Sequence, residues 1–186
     1  MSGGRPSPAG HTVLAVPVPP LEAYVRTRTA VHDASFVSTD PDFAHAHLTL
    51  LAPWVPTPSA ADLGVVAAIA AATEPFEVAL ESIEEFPDGL LHLRPRPDDA
   101  VRALTARLWA AFPEHPPYEG RYPEVVPHVT LERHSPTTTP AVTAATVAAD
   151  LADALPARLR IERIDLQWWA NHDCRRLHSW PLGGTA

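Results

Sequence analysis

Two short segments of this chain repeat a histidine, an apolar residue, a threonine and a leucine: His47-Leu48-Thr49-Leu50 and His128-Val129-Thr130-Leu131. Histidine and threonine recur at one offset, 81 residues in both cases (47 to 128, 49 to 130). Imidazole gains or loses a proton near neutrality, with an unperturbed pKa of about 6.5. Two of them can therefore divide proton traffic, the neutral one taking a proton from a nucleophile while the charged one gives a proton to a leaving oxygen. Each threonine hydroxyl can donate a hydrogen bond to an oxyanion. A site with two imidazoles, two hydroxyls and no strong negative charge suits a phosphodiester.

Strand geometry makes the spacing meaningful. Successive side chains of a strand point to opposite faces, so His47 shares a face with Thr49 and His128 shares one with Thr130, while Leu48, Leu50, Val129 and Leu131 point to a core. The surroundings repeat too. Each motif runs into a proline-bearing loop, a Thr-Pro pair (Thr57-Pro58, Thr139-Pro140) and an alanine-rich helix. A duplicated strand-loop-helix unit with its motif in register signals internal pseudo-symmetry, and packing the two units about a pseudo-twofold axis would line one cleft with both motifs.

The elements that must position these residues can be read along the chain. His11 to Pro19 is a β-rich run, Leu21 to Val31 a short helix, and Phe43 to Ala52 a strand. Ser59 is placed to cap a helix from about Ser59 to Ala72. FEVALESIEEF and LLHLRP form a β-hairpin through the turn Pro87 to Gly89. Asp98 to Phe112 carries Val101, Leu104, Leu108 and Ala111 on one helical face. The loop Pro113 to Pro123 leads into the strand VVPHVTLER, and Pro140 opens a helix ending near Leu155-Pro156. RLRIERIDLQWWA and CRRLHSW supply two strands around an Asn171-His172-Asp173 turn. Hairpins interspersed with helices predict an α+β fold with antiparallel or mixed sheets. At 186 residues we expect one unit, 1–186, with residues 1–10 flexible.

Composition narrows the chemistry. All 14 basic residues are arginine, which excludes a Walker A loop, a Schiff-base lysine and a lysyl-nucleotidyl step. A net charge of -8 argues against holding a long nucleic acid by phosphate neutralisation and favours a short substrate. The single cysteine, Cys174, excludes an internal disulfide framework and agrees with a reducing compartment. Leu63 to Ala72 falls short of the roughly 20 residues of a bilayer span, and the first ten residues lack a signal-peptide apolar region, so a cytoplasmic protein without membrane contact is expected. His45 and His47 could be read as a metal pair, but no HExxH, cysteine cluster or nearby carboxylate completes a first shell; we expect neither metal nor cofactor.

HLTL and HVTL, set in HAHLTLLAPW and PPYEGRYPEVVPHVTLER, resemble the two-histidine (2H) phosphoesterases, and closely their bacterial 2'-5' RNA ligase-like branch; the FPDGLLHLRPRP hairpin resembles that branch as well. The resemblance extends from about His11 to Trp180. It implies a bilobal α+β fold of two pseudo-symmetric lobes about a central cleft. It also implies metal-independent opening of 2',3'-cyclic phosphates of nucleotides or RNA ends, giving 2'-phosphates, and in some members reversible 2'-5' joining of RNA. His47, Thr49, His128 and Thr130 would be catalytic, with His128 as base and His47 as acid. The repeat by itself leaves those two roles interchangeable. Arg133 falls where the family often has an arginine and would bind substrate.

Trp54, Tyr118 and Tyr122 lie near the motifs and could stack on a base, since an aromatic plane accepts any nucleobase; packing in the core or loops is the alternative. Arg94, Arg96 and Arg121 could meet a terminal phosphate or be solvated. His11, His32, His92, His115, His134, His172 and His178 have no partner motif and are expected to be structural or surface residues. A monomer is expected. The competing function is a non-catalytic binder of nucleotides or RNA ends, which loss of a motif residue would favour; none is lost.

Overall fold

The computed structural model describes residues 10–122 and 124–184. Flexibility expected of residues 1–10 concerns residues outside that span, except Gly10, which opens a strand. Among the described residues, nine strands form three antiparallel sheets accompanied by four α-helices. β1 (Gly10–Pro17), β2 (His47–Leu51), β8 (Arg163–Ala170) and β9 (Arg175–Pro181) form the largest, in the order β2-β1-β8-β9. β4 (Ile83–Glu85), β5 (Leu90–Leu93) and β6 (Val129–Arg133) form the second, in that order, and β3 (Phe76–Leu80) pairs with β7 (Ala157–Ile161) in the third. Both motif strands are thus edges of their sheets, and β2 and β6 adjoin.

The helices are α1 (Glu22–Asp33), α2 (Ala60–Ala71), α3 (Asp99–Ala111) and α4 (Ala144–Asp150). Ser59 caps α2 and Thr143 caps α4, each in a capping box in which the cap hydroxyl accepts the N–H of the third helical residue and that residue's side chain reaches back. The two units of the repeat therefore start their helices by one device. α3 buries Val101, Leu104 and Leu108, as its periodicity requires, and adds Thr105 where alternation alone put Ala111. Leu48, Leu50, Val129 and Leu131 join Leu14, Val16, Leu91 and Leu93 in a continuous apolar core.

Several boundaries differ from expectation. FEVALESIEEF is two strands, β3 and β4, because Glu81 and Ser82 break it and send its halves to different sheets. RLRIERIDLQWWA divides likewise at Glu162. Phe43 to Ala46 bends before β2, which starts only at His47. Pro140 does not open a helix: Val142 exchanges backbone hydrogen bonds with Ser135, so α4 begins after Thr143.

Candidate active site

Each motif strand carries a β-bulge at the same place. On β2, Thr49 stands opposite Ala15 and Leu51 opposite Leu14, leaving Leu50 as the extra residue. On β6, Thr130 stands opposite His92 and Glu132 opposite Leu91, leaving Leu131 extra. A bulge changes which face the following residues occupy. Leu50 and Leu131 stay buried, Leu51 and Glu132 turn inward after them, and Arg133 returns to the exposed side that Thr130 occupies. Strict alternation would have turned Arg133 away from His128.

The imidazoles are held identically. His47 donates from Nδ1 to the His45 carbonyl at 2.8 Å, and His128 donates from Nδ1 to the Val126 carbonyl at 2.8 Å, in each case two residues back. With Nδ1 so engaged, Nε2 is the atom left for a reacting partner. Burial lowers the pKa of His47 to about 4, partly opposed by its bond to His45 and by the charge of Glu22. Burial lowers that of His128 too, opposed by its bond to Val126 and assisted by His92. Both rings are therefore neutral near neutrality.

Two cavities flank Thr130, which lines both. One, of about 500 Å³, is lined by His47, Thr49 and Trp169 together with Arg28 and His32 of α1 and Arg133 of β6. The other, of about 520 Å³, is lined by His128, Phe86, Tyr118, Tyr122 and Val126. Tyr118 lies beside both motifs: its ring stacks 6.0 Å from His128 at 18°, and its hydroxyl lies near the side chain of Thr49. Burial pushes its pKa up to about 12, so it remains a donor. Tyr118 and Glu119 both adopt left-handed backbone, φ 52° and 57°, at a cost of about 1–2 kcal/mol each for residues bearing a Cβ. Such strain is tolerated where surrounding contacts fix a functional side chain.

His47, Thr49, His128, Thr130, Tyr118, Tyr122 and Arg133 thus line two adjoining cavities. Arg133 is tied to Asp88, donating to its carbonyl at 2.7 Å. Trp54 does not belong to this group: it is buried at 1% exposure and packs edge-on against Phe112, 5.1 Å away, because the chain turns inward after β2. Arg94 and Arg96 pair with Glu84 and Arg121 with Glu119, outside both cavities. His45 is not positioned as a metal ligand, since Nδ1 donates to Glu22 and Nε2 accepts the Ser38 N–H at 3.1 Å. Among the described residues no group of three or more His, Cys, Asp or Glu side chains could hold a metal.

Sequence reasoning missed His92 and Phe86. His92 is buried, stacks on Phe86 at 3.7 Å and 10°, and lies 5.5 Å from His128. No spacing marks His92; only the register of β5 on β6, which sets it opposite Thr130, brings it to the site. His32 is structural, in line with expectation, binding Glu132 together with Arg28.

An antiparallel α+β fold that sets two H-x-T edge strands side by side is the architecture of the two-histidine phosphoesterases. The chain belongs to the 2'-5' RNA ligase superfamily, whose sequence pattern matches residues 17–173. Its fold is similar to that of LigT from E. coli solved with 3'-AMP (17% identity, 95% of this chain and 100% of that one, TM-score 0.55). It is also similar to that of TT0787 from Thermus thermophilus (20% identity, 94% and 99%, TM-score 0.58). LigT has been solved with ATP as well, and that structure matches at 18% identity over 96% of this chain and 100% of that one, TM-score 0.52. No curated protein matches the chain. Among the described residues no helix is long and apolar enough to cross a membrane.

Proposed function

We propose that this protein is a metal-independent phosphodiesterase that opens 2',3'-cyclic phosphates of nucleotides or RNA ends. The observation that carries this reading is the pair of imidazoles anchored alike through Nδ1 on two bulged edge strands, each beside a threonine. The phosphate sits between the motifs, with Thr49 and Thr130 donating to its non-bridging oxygens. His128 accepts a proton from water as the water oxygen attacks phosphorus. The bond from phosphorus to the ribose 3' oxygen breaks, His47 donates a proton to that oxygen, and the product is a 2'-phosphate. With the 5' hydroxyl of a second RNA attacking in place of water, the same breaking of the bond to the 3' oxygen would give 2'-5' joining.

The aromatic cavity beside His128 accepts the nucleobase, and the cavity beside His47, lined by Arg28, His32 and Arg133, accepts the rest of the substrate. LigT structures with 3'-AMP, NADP+ and ATP support a small nucleotide-like ligand. We further propose that a single monomeric unit acts on such short substrates in the cytoplasm.

The test is a panel of 2',3'-cyclic mononucleotides, RNAs with cyclic-phosphate ends and ADP-ribose cyclic phosphate, assayed in EDTA with the product's phosphate position determined. Turnover to 2'-phosphates is expected throughout a chelator series. Activity that vanishes with EDTA and returns with a divalent metal would overturn the mechanism.

A further inference from the structure

The two motifs repeat, but the residues leading into them do not. The offset of 81 that relates the histidines maps His45 onto Val126 and Ala46 onto Pro127. The first residue of each pair lends its carbonyl to the catalytic imidazole. The second differs in what its backbone needs. Pro127 has no N–H, and its ring fixes φ, so the approach to His128 is stiffened covalently. Ala46 is fully buried and its N–H requires a partner.

Glu22, the first residue of α1, supplies that partner. Its Oε2 accepts the Ala46 N–H at 2.9 Å, and its Oε1 accepts the His45 Nδ1–H at 2.6 Å. The far side of the His45 ring accepts the Ser38 N–H, and the side chain has no exposed surface. A single carboxylate therefore fastens both residues that precede His47, and it brings a negative charge for which Val126 and Pro127 offer no counterpart. Burial alone would raise the pKa of Glu22, but the bonds from His45 and Ala46 hold it below the usual carboxylate range, so the charge is present at neutral pH.

We infer that Glu22 and His45 are positioning residues for His47: they fix the carbonyl that orients its ring, and the carboxylate's charge favours its protonated form. The near-equivalence of the two motifs is broken in this way: a carboxylate stands behind His47 and none behind His128, partly opposing the burial that depresses His47, in keeping with the role of acid proposed for it. The inference rests on the catalytic reading proposed above. Other charged groups face the same cavity, Arg28, His32 and Asp33 from α1 and Glu132 and Arg133 from β6, while His128 lines the adjoining one. Of these, Glu132 is already neutralised by Arg28 and His32, and Arg133 is tied to Asp88.

Glu22→Gln keeps the shape of the side chain and removes its charge. In kcat against pH on a 2',3'-cyclic nucleotide, E22Q is expected to lose about ten-fold, part of a full general-acid contribution, with KM changed less than about two-fold. Its alkaline limb should move to lower pH, and Glu22→Asp should recover part of both effects. His47→Ala, run alongside, separates the two claims. If H47A is inactive while E22Q matches wild type in kcat and limb, this inference is wrong and the site reading stands; if H47A is fully active, the site reading itself is wrong. Should E22Q fail to fold, 15N imidazole spectra of the wild-type protein decide. His45 is expected as the Nδ1–H tautomer, and an Nε2–H tautomer would overturn the inference.

Discussion

The ring of Tyr118 lies 6.0 Å from that of His128 at an interplanar angle of 18°, although ten residues and a left-handed turn separate them in the chain. Because the Tyr118 hydroxyl also lies near Thr49, this one side chain sits beside both motifs. Its backbone is fixed from the same direction, the Tyr118 N–H donating to the Ala52 carbonyl at 3.1 Å, just beyond β2. The segment after Pro116 thus acts as a strap from the end of one motif strand to the histidine of the other.

Tyr118→Ala should therefore raise KM for a nucleotide substrate by about 10- to 100-fold, the loss of one base-stacking plane. KM for a small aryl phosphodiester that lacks a base should change little. Tyr118→Phe keeps the plane and removes only the hydroxyl near Thr49, so its KM should stay near wild type while kcat falls several-fold. Equal effects of Y118A on both substrates would show that the aromatic cavity does not hold a base.

Much of this arrangement was legible in the sequence, for identifiable reasons. The period-2 pattern placed His47 with Thr49 and His128 with Thr130, and Ser59 announced the start of α2. What stayed hidden depends on chain crossings that no local pattern encodes. The bulges at Leu50 and Leu131 arise from pairing with β1 and β5 and so decide where Arg133 faces. Trp54 follows its motif closely, like a site residue, yet the turn after β2 delivers it to Phe112 in the core. Glu22 and His45 are 23 residues apart, and nothing in either segment marks the bond between them. β3 and β4 read as one strand because both are apolar and β-branched or aromatic in part, and only their separate partners distinguish them.

Trp54→Phe separates core from site. The substitution removes volume from a buried position but also removes an indole N–H that has no hydrogen-bond partner among the described residues. The two effects oppose each other, so the net loss of stability should stay within about 2 kcal/mol, read from urea unfolding. KM and kcat at a temperature where the variant is folded should match wild type. A selective rise in KM would return Trp54 to the substrate.

His47→Ala and His128→Ala should each lower kcat by about 10² to 10⁴-fold, the usual contribution of a positioned acid or base. The double variant should be scarcely worse than either single, because the two act as one unit. Thr49→Val and Thr130→Val should cost less, each removing one neutral donor from an otherwise intact phosphate site. Single histidine variants that fold and retain near wild-type turnover would exclude the paired mechanism.

The pH dependence follows from the burial of both imidazoles. In the free enzyme His47 is held at about 4 and His128 also lies below its ordinary value, so the state with one ring charged and one neutral is most populated on the acid side of neutrality. Because kcat/KM reports the free enzyme, its bell should centre below pH 6.5. The bound phosphate raises the proton affinity of the acid, so kcat should peak at higher pH than kcat/KM. Stability moves with the same groups. As pH falls through about 6.5, the unfolded chain takes up protons that the folded histidines refuse, so the fold weakens between about 6.5 and 4. His47→Ala should flatten that part of the stability curve in urea titrations at stepped pH. A kcat/KM bell centred at or above pH 7, or an unchanged acid slope in H47A, would mean that His47 is not held neutral in the free enzyme.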